Sequence, residues 1–192
     1  MAGTGGSAGT MMPDAGVRPD AGAVCAPGTC KRVFVSSAAP APSGKLGGLG
    51  AADTFCQSAA SAARLGGTWK AWLSDTTGSP STRFTQATVP YRLLDGSTIA
   101  ANWTSLTSGT LMHPINVYED ATQVAAGVTL EVWTGTTPSG TYSGNACANW
   151  TNDTANPPNA DIGLSNLANG AWTQIYMQFC NRTTIHLFCF EQ

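Results

Sequence analysis

The chain has 192 residues, of which 10% are charged and 42% hydrophobic, and its formal net charge is -2. That balance leaves no basic footprint for nucleic acid or for an anionic membrane surface. No apolar run reaches the roughly 20 residues a transmembrane helix needs, and no hydrophobic signal region follows Met1.

Residues 1–24 are dominated by Gly, Ala, Ser, Thr, Pro and Asp, with Pro13-Asp14-Ala15-Gly16 recurring as Pro19-Asp20-Ala21-Gly22. So few large apolar side chains cannot offset the entropy of ordering, and the stretch reads as a flexible spacer in front of one domain over 25–192. Cys25 and Cys30 enclose four residues, including Pro27 and Gly28, at the start of that domain. Lys31 to Ser36 alternates around Val33 and Val35 and reads as the first strand. Pro40 and Pro42 keep the next connection extended. A helix is expected over 51–64, with Phe55, Cys56, Ala59, Ala60 and Ala63 on one face and Gly66-Gly67 ending it. Its apolar stripe is thin because the residues are small, which lets the helix sit close to a sheet.

Thr68 to Ser74 alternates next, with Trp69, Ala71 and Leu73 on one face and Lys70 and Trp72 on the other. Short strands follow near Tyr91–Leu94 and Leu130–Thr134. Between them Asp95 to Val128 shows little periodicity, the kind of long irregular segment that is functional or supported by disulfides. The last strand sets Ile185, Leu187 and Cys189 against His186, Phe188 and Phe190. Cys189 therefore shares the aliphatic face, as a bridge to a buried helix cysteine would require.

Six cysteines, an even number with no CxxC pair, and only two histidines argue for disulfides over a zinc site, and so for an oxidising compartment. Spacing alone leaves about fifteen pairings open. For catalysis a nucleophile, a base and an orienting acid should converge, and neither His113 nor His186 lies in a recognisable motif. Nothing in the spacing of Glu119, Asp120, Asp153 and Asp161 argues for a glycosidase pair. Four Asn-x-Ser/Thr sequons occur, at Asn102, Asn149, Asn152 and Asn181. Trp103 and Trp150, each following a sequon asparagine, are read as core residues.

Three stretches carry a resemblance. Gly50 to Ser74 (GAADTFCQSAASAARLGGTWKAWLS), Val132 to Trp150 (VWTGTTPSGTYSGNACANW) and the spacing of Cys180 and Cys189 resemble, in the same order, the endostatin domain of the C-type-lectin-like fold. The likeness covers about residues 31–192. Bacterial exported lipoproteins carry domains of this kind behind Gly/Ala/Pro spacers, and the N-terminal stretch looks more like those than like a collagen. The resemblance implies an α+β domain with two small antiparallel sheets, a main helix, a long loop region and the pairs Cys56–Cys189 and Cys147–Cys180. Cys25 and Cys30 are then left for the turn at the start.

Sugar-binding members of the fold hold calcium with carboxylates and amides in two loops. The corresponding stretches here are His113-Pro114-Ile115-Asn116 and Trp172-Thr173-Gln174, where the Asn-Asp pair is missing. Asn116, Glu119 and Asp120 offer only part of the six to eight oxygens calcium takes, so no cofactor is expected, with calcium as the alternative. Endostatin's zinc histidines have no counterpart near the N-terminus. Its heparin-binding arginine cluster is reduced to Lys70 and Arg64.

The expectation is therefore a non-catalytic recognition or adhesion module, secreted or anchored at a bacterial cell surface, that binds a protein or a glycan. A carbohydrate-active enzyme and a purely structural envelope domain are the alternatives. The ligand is expected at one face formed by the loops 95–128 and 149–161, through His113, Asn116, Glu119, Asp120, Asn149 and Asp153.

Overall fold

A computed structural model of the chain describes Cys25, Ala26 and residues 28–192; the expected spacer over 1–24 and Pro27 lie outside the described residues. The architecture is mixed α+β, with two small sheets, few helices and three disulfides. The first sheet is built from β1 (Lys31–Val35), β2 (Trp69–Ala71), β3 (Tyr91–Leu93), β4 (Thr98–Ala100) and β8 (Phe188–Glu191), in the order β2-β8-β1-β3-β4. β1 and β3 run parallel and the other neighbours antiparallel. The second sheet holds β5 (Glu131–Trp133), β6 (Asn159–Leu164) and β7 (Tyr176–Phe179), all antiparallel, with β7 at an edge.

The helix α1 spans Leu49–Ala62, two residues earlier at each end than the sequence suggests, and buries Leu49, Ala52, Cys56 and Ala60. Its end is a correction. Arg64, at φ 59°, takes the left-handed position, and the Leu65 amide donates back to the Ala60 carbonyl (2.9 Å). Gly66 and Gly67 form the turn after it. A Cβ on Gly67 would stand 2.7 Å from Glu191 Oε1, next to the pair in which Arg32 Nε and Nη2 grip Glu191 at 2.9 and 2.7 Å. That Arg32 guanidinium also sits over the Trp69 ring.

β8 lies between β2 and β1, and both of its faces are buried, one under α1 and the other under an aromatic layer. Cys189 faces α1 and bonds to Cys56. Phe188 and Phe190 join a second layer of Trp72, Phe84, Trp103 and Trp172, with Trp72 4.9 Å from Trp172 and 5.3 Å from Phe190 between ring centroids. Trp150 is fully buried against Trp133 and Trp103 is partly buried on Trp72, in line with the core reading of both. The segment before β8 also joins the sheets. The His186 amide donates to Glu131 (2.9 Å), its carbonyl accepts from Trp133 (3.0 Å), and the Leu187 carbonyl accepts from Ser36 (2.8 Å).

Between the sheets lies a fully buried hydroxyl network. Ser74 Oγ pairs with Thr136 Oγ1 (2.7 Å), Thr136 Oγ1 donates to the Thr134 carbonyl (2.6 Å), and Trp72 Nε1 donates to Thr173 Oγ1 (2.7 Å). Such a network specifies a core only when every member is satisfied. The segment 95–128, expected to be irregular, contains β4 and the short helix α3 (Trp103–Leu106), capped by Asn102 Oδ1 on the Ser105 amide (2.9 Å). A second short helix, α2, spans Pro80–Arg83. Among the described residues no helix is long and apolar enough to cross a membrane.

Candidate functional site

The pairing implied by the resemblance is the pairing observed: Cys25–Cys30, Cys56–Cys189 and Cys147–Cys180. The last of these anchors the most unusual backbone in the molecule. Cys147, Ala148, Asn149 and Trp150 have φ of 45°, 51°, 57° and 62°, which makes them a left-handed helical turn. Each non-glycine residue in that region costs about 1–2 kcal/mol. The turn is held by the Cys147–Cys180 bond, by the buried Trp150 ring and by Trp150 Nε1 donating to the Ser74 carbonyl (2.9 Å).

This turn forms one wall of an open hollow of about 470 Å³. Tyr142, Gly144 and Asn145 form a second wall, Pro157 and Pro158 a third, and Asn159 and Met177 belong to the floor. The floor is one face of the small sheet. Met177 pairs with Asp161 across β6–β7, and the Asp161 amide donates to the Asn145 carbonyl (3.3 Å), so Asn145, Asp161 and Met177 stand in one row. Gly163 lies further along the same face of β6, where a Cβ would come within 1.9 Å of the Trp172 carbonyl oxygen. That backbone therefore closes the face at Gly163, and the hollow occupies its other end.

Asp161 is 5% exposed, and its carboxylate accepts a hydrogen bond from the neutral amide of Asn145 (3.1 Å). Asp75 is also buried, and its Oδ1 accepts from the amide (2.7 Å) and hydroxyl (2.6 Å) of Thr77. Among the described residues neither carboxylate has a basic side chain within ion-pair distance. Burial, and then the charges of Asp75 and Asp161, push the ionisation of the Tyr142 phenol up. The hollow is thus an open, electronegative site with an aromatic ring in its wall. Asn159 Oδ1 and Ser143 Oγ are buried beside it without hydrogen-bond partners.

Of the six residues expected to bind ligand, Asn149 lines this hollow, where its amide oxygen and nitrogen engage the Thr76 amide (3.3 Å) and hydroxyl (2.7 Å). The other five do not line it. Asp153 lies 3.9 Å from Lys45, both of them exposed. Glu119 accepts from the amide (2.8 Å) and hydroxyl of Ser37, just beyond β1. His113 Nδ1 is 2.9 Å from the Thr98 carbonyl. The Asn116 carbonyl accepts from Val124 (2.8 Å), and the Asp120 carboxylate accepts from the amide (3.0 Å) and hydroxyl (2.6 Å) of Thr122. Among the described residues no three or more His, Cys, Asp or Glu side chains gather as a metal site would require.

Sequence reasoning passed over Tyr142, Asn145 and Met177, and it weighed Asp161 only as one carboxylate of a glycosidase pair. Asp161 is instead a buried strand residue. Compared with models of known protein families and with curated proteins, the chain matches none.

Proposed function

We propose that this chain is a non-catalytic recognition module of the C-type-lectin-like, endostatin-like kind, secreted or held at a bacterial cell surface. Its ligand docks on the open end of the small sheet. One observation carries the reading. Four of the six large apolar side chains exposed among the described residues, Ile175, Tyr176, Met177 and Phe179, are on or beside the single edge strand β7. Met177 rims the hollow, and Phe179 lines a second depression with Asn181 and Arg182. Met177 and Phe179 share one face of that strand, and neighbouring exposed apolar side chains on an otherwise short-chained, polar surface mark an interaction site. Three disulfides suit an oxidising extracellular setting.

The test compares the native chain with a Met177→Ser/Phe179→Ser double variant on a glycan array and against purified cell-surface protein fractions. The native chain should bind saturably to one class, and the double variant should lose that binding while melting at the same temperature. Equal binding by both forms, or no saturable ligand in either class, would overturn the reading.

A further inference from the structure

The recognition reading leaves protein and glycan equal, but two independent observations on the small sheet separate them. The first concerns the edge. Among the described residues β7 pairs only with β6, which leaves its outer side open. Natural edge strands are guarded by charge, by proline or by a bulge. Tyr176–Phe179 contains no charged residue and no proline, and its register with β6 runs without a shift from Tyr176 to Phe179. Backbone of that kind is complementary to another extended polypeptide.

The second observation concerns charge. The floor row Asn145–Asp161–Met177 ends at the open edge, with the Asp161 carboxylate one strand inward from Met177. Asp161 and Asp75 lack a basic partner among the described residues, and no lysine, arginine or histidine lines the hollow. The field of both carboxylates reaches Tyr142 in the wall of the hollow and helps to push its ionisation up. The group such a field favours is a cation.

The two observations meet in the geometry of pairing. A strand added outside β7 would place the residue opposite Met177 on the same face as Met177 and Asp161. Strands lie about 4.8 Å apart, so that residue's backbone stands about 10 Å from Asp161, a span that a long flexible lysine stem largely crosses. Its ammonium would then lie between the Tyr142 ring and the row of Asn145 and Asp161, where its charge gains both the field of the carboxylates and the face of the ring.

We propose that β7 accepts an extended polypeptide segment as a fourth strand of the small sheet, and that a lysine of that segment fills the hollow in front of Asp161. This rests on the recognition reading above and assigns its ligand to protein.

A phage-displayed library of random heptapeptides, selected on the immobilised full chain with its disulfides intact, tests it. The selected peptides should share a lysine at one fixed position. In titrations followed by amide NMR, a selected peptide should shift the signals of residues 176–179. Replacing its lysine by norleucine should weaken binding by about tenfold. Asp161→Asn keeps the side-chain shape and should reduce that lysine preference to less than about twofold, while leaving the norleucine peptide unaffected. Because the norleucine arm alters only the peptide, it stands even if the variant folds poorly. Selected peptides without lysine, or a lysine preference untouched in a folded Asp161→Asn chain, would overturn the lysine assignment and leave the recognition reading in place. An empty selection, together with glucosamine binding in the hollow, would move the ligand to a glycan and overturn this proposal. A chain that takes up neither peptide nor glycan would remove the recognition reading itself.

Discussion

β8 and β7 are four-residue strands of similar composition, Phe188-Cys189-Phe190-Glu191 and Tyr176-Met177-Gln178-Phe179, with opposite fates. β8 lies between two neighbours, and its first three residues are fully buried. β7 lies at an edge and leaves Tyr176, Met177 and Phe179 exposed. The hydrophobic effect rewards burial of either sequence about equally per unit area, so composition does not decide between them. What packs over the faces of each strand does. The region around β8 is closed by a helix, a disulfide and an aromatic layer. The region around β7 is closed on one side by a polar network and left open on the other.

The largest expected effect lies in the closed region. The Cys56–Cys189 bond spans 133 residues and ties α1 to the central strand. On the chain-entropy account of crosslinks, Cys56→Ser/Cys189→Ser should lose about 5 kcal/mol of unfolding free energy. Denaturant titration of the oxidised double variant measures this. A loss under about 1 kcal/mol would mean that packing alone holds the two ends, against the loop-entropy argument.

A paired substitution tests the comparison directly. Phe190→Ala removes a ring that touches Trp72, Phe84 and Tyr91 and should cost about 3–5 kcal/mol. Phe179→Ala removes an exposed ring and should stay within about 0.5 kcal/mol. Chemical denaturation of both variants reads the difference. Comparable losses would show that the β7 edge is already covered within the chain.

The polar layer between the regions should give an intermediate effect. Thr136→Val keeps the shape of the side chain but leaves Ser74 Oγ without its partner and the Thr134 carbonyl with only the Ser74 amide. Unsatisfied buried groups of this kind cost about 1–3 kcal/mol. If the midpoint of unfolding does not move, water or a rearranged hydroxyl has taken the place of Thr136.

The closed region was largely legible in the sequence. Val33 and Val35, the small-residue stripe around Cys56, and the alternation of Trp69 to Leu73 are local patterns that local rules can read. The open region was not. Asn159–Leu164 contains Asn, Asp and Gly, residues that strands disfavour, and in the structure Asp161 and Gly163 have individual roles that override propensity. Tyr176–Phe179 has no clean alternation because an edge strand is not forced to hide one face. The hollow joins Thr76, Tyr142, Asn149, Pro158 and Met177, which only tertiary pairing brings together. The amide-rich loop at Asn149 drew notice by composition, whereas Asp161 looked like an ordinary solvated carboxylate. The end of α1 shows the same limit on a small scale, since Gly66-Gly67 signals a stop but the left-handed cap falls on Arg64.

The smallest expected effect lies where the two regions join. The sequence places His186 in no recognisable motif. In the structure it is half-buried, with Nδ1 2.7 Å from the Ser36 carbonyl, and its backbone bonds to both Glu131 and Trp133. Burial holds its pKa below the ordinary value of 6.5, while the Ser36 carbonyl and the Glu119 charge pull the other way without prevailing. The unfolded chain therefore takes up this proton first as pH falls. The stability contributed by the neutral ring is fully present above about pH 6.5, declines as pH falls below it, and levels off once pH passes beneath the folded-state pKa. His186→Asn offers an uncharged donor at the same place for the Ser36 carbonyl. Urea midpoints measured from about pH 8 to about pH 5 should fall for the native chain and fall less for the variant. Parallel curves for the two chains would place the pH dependence in the carboxylates instead, and the junction between the sheets would then be indifferent to the charge of His186.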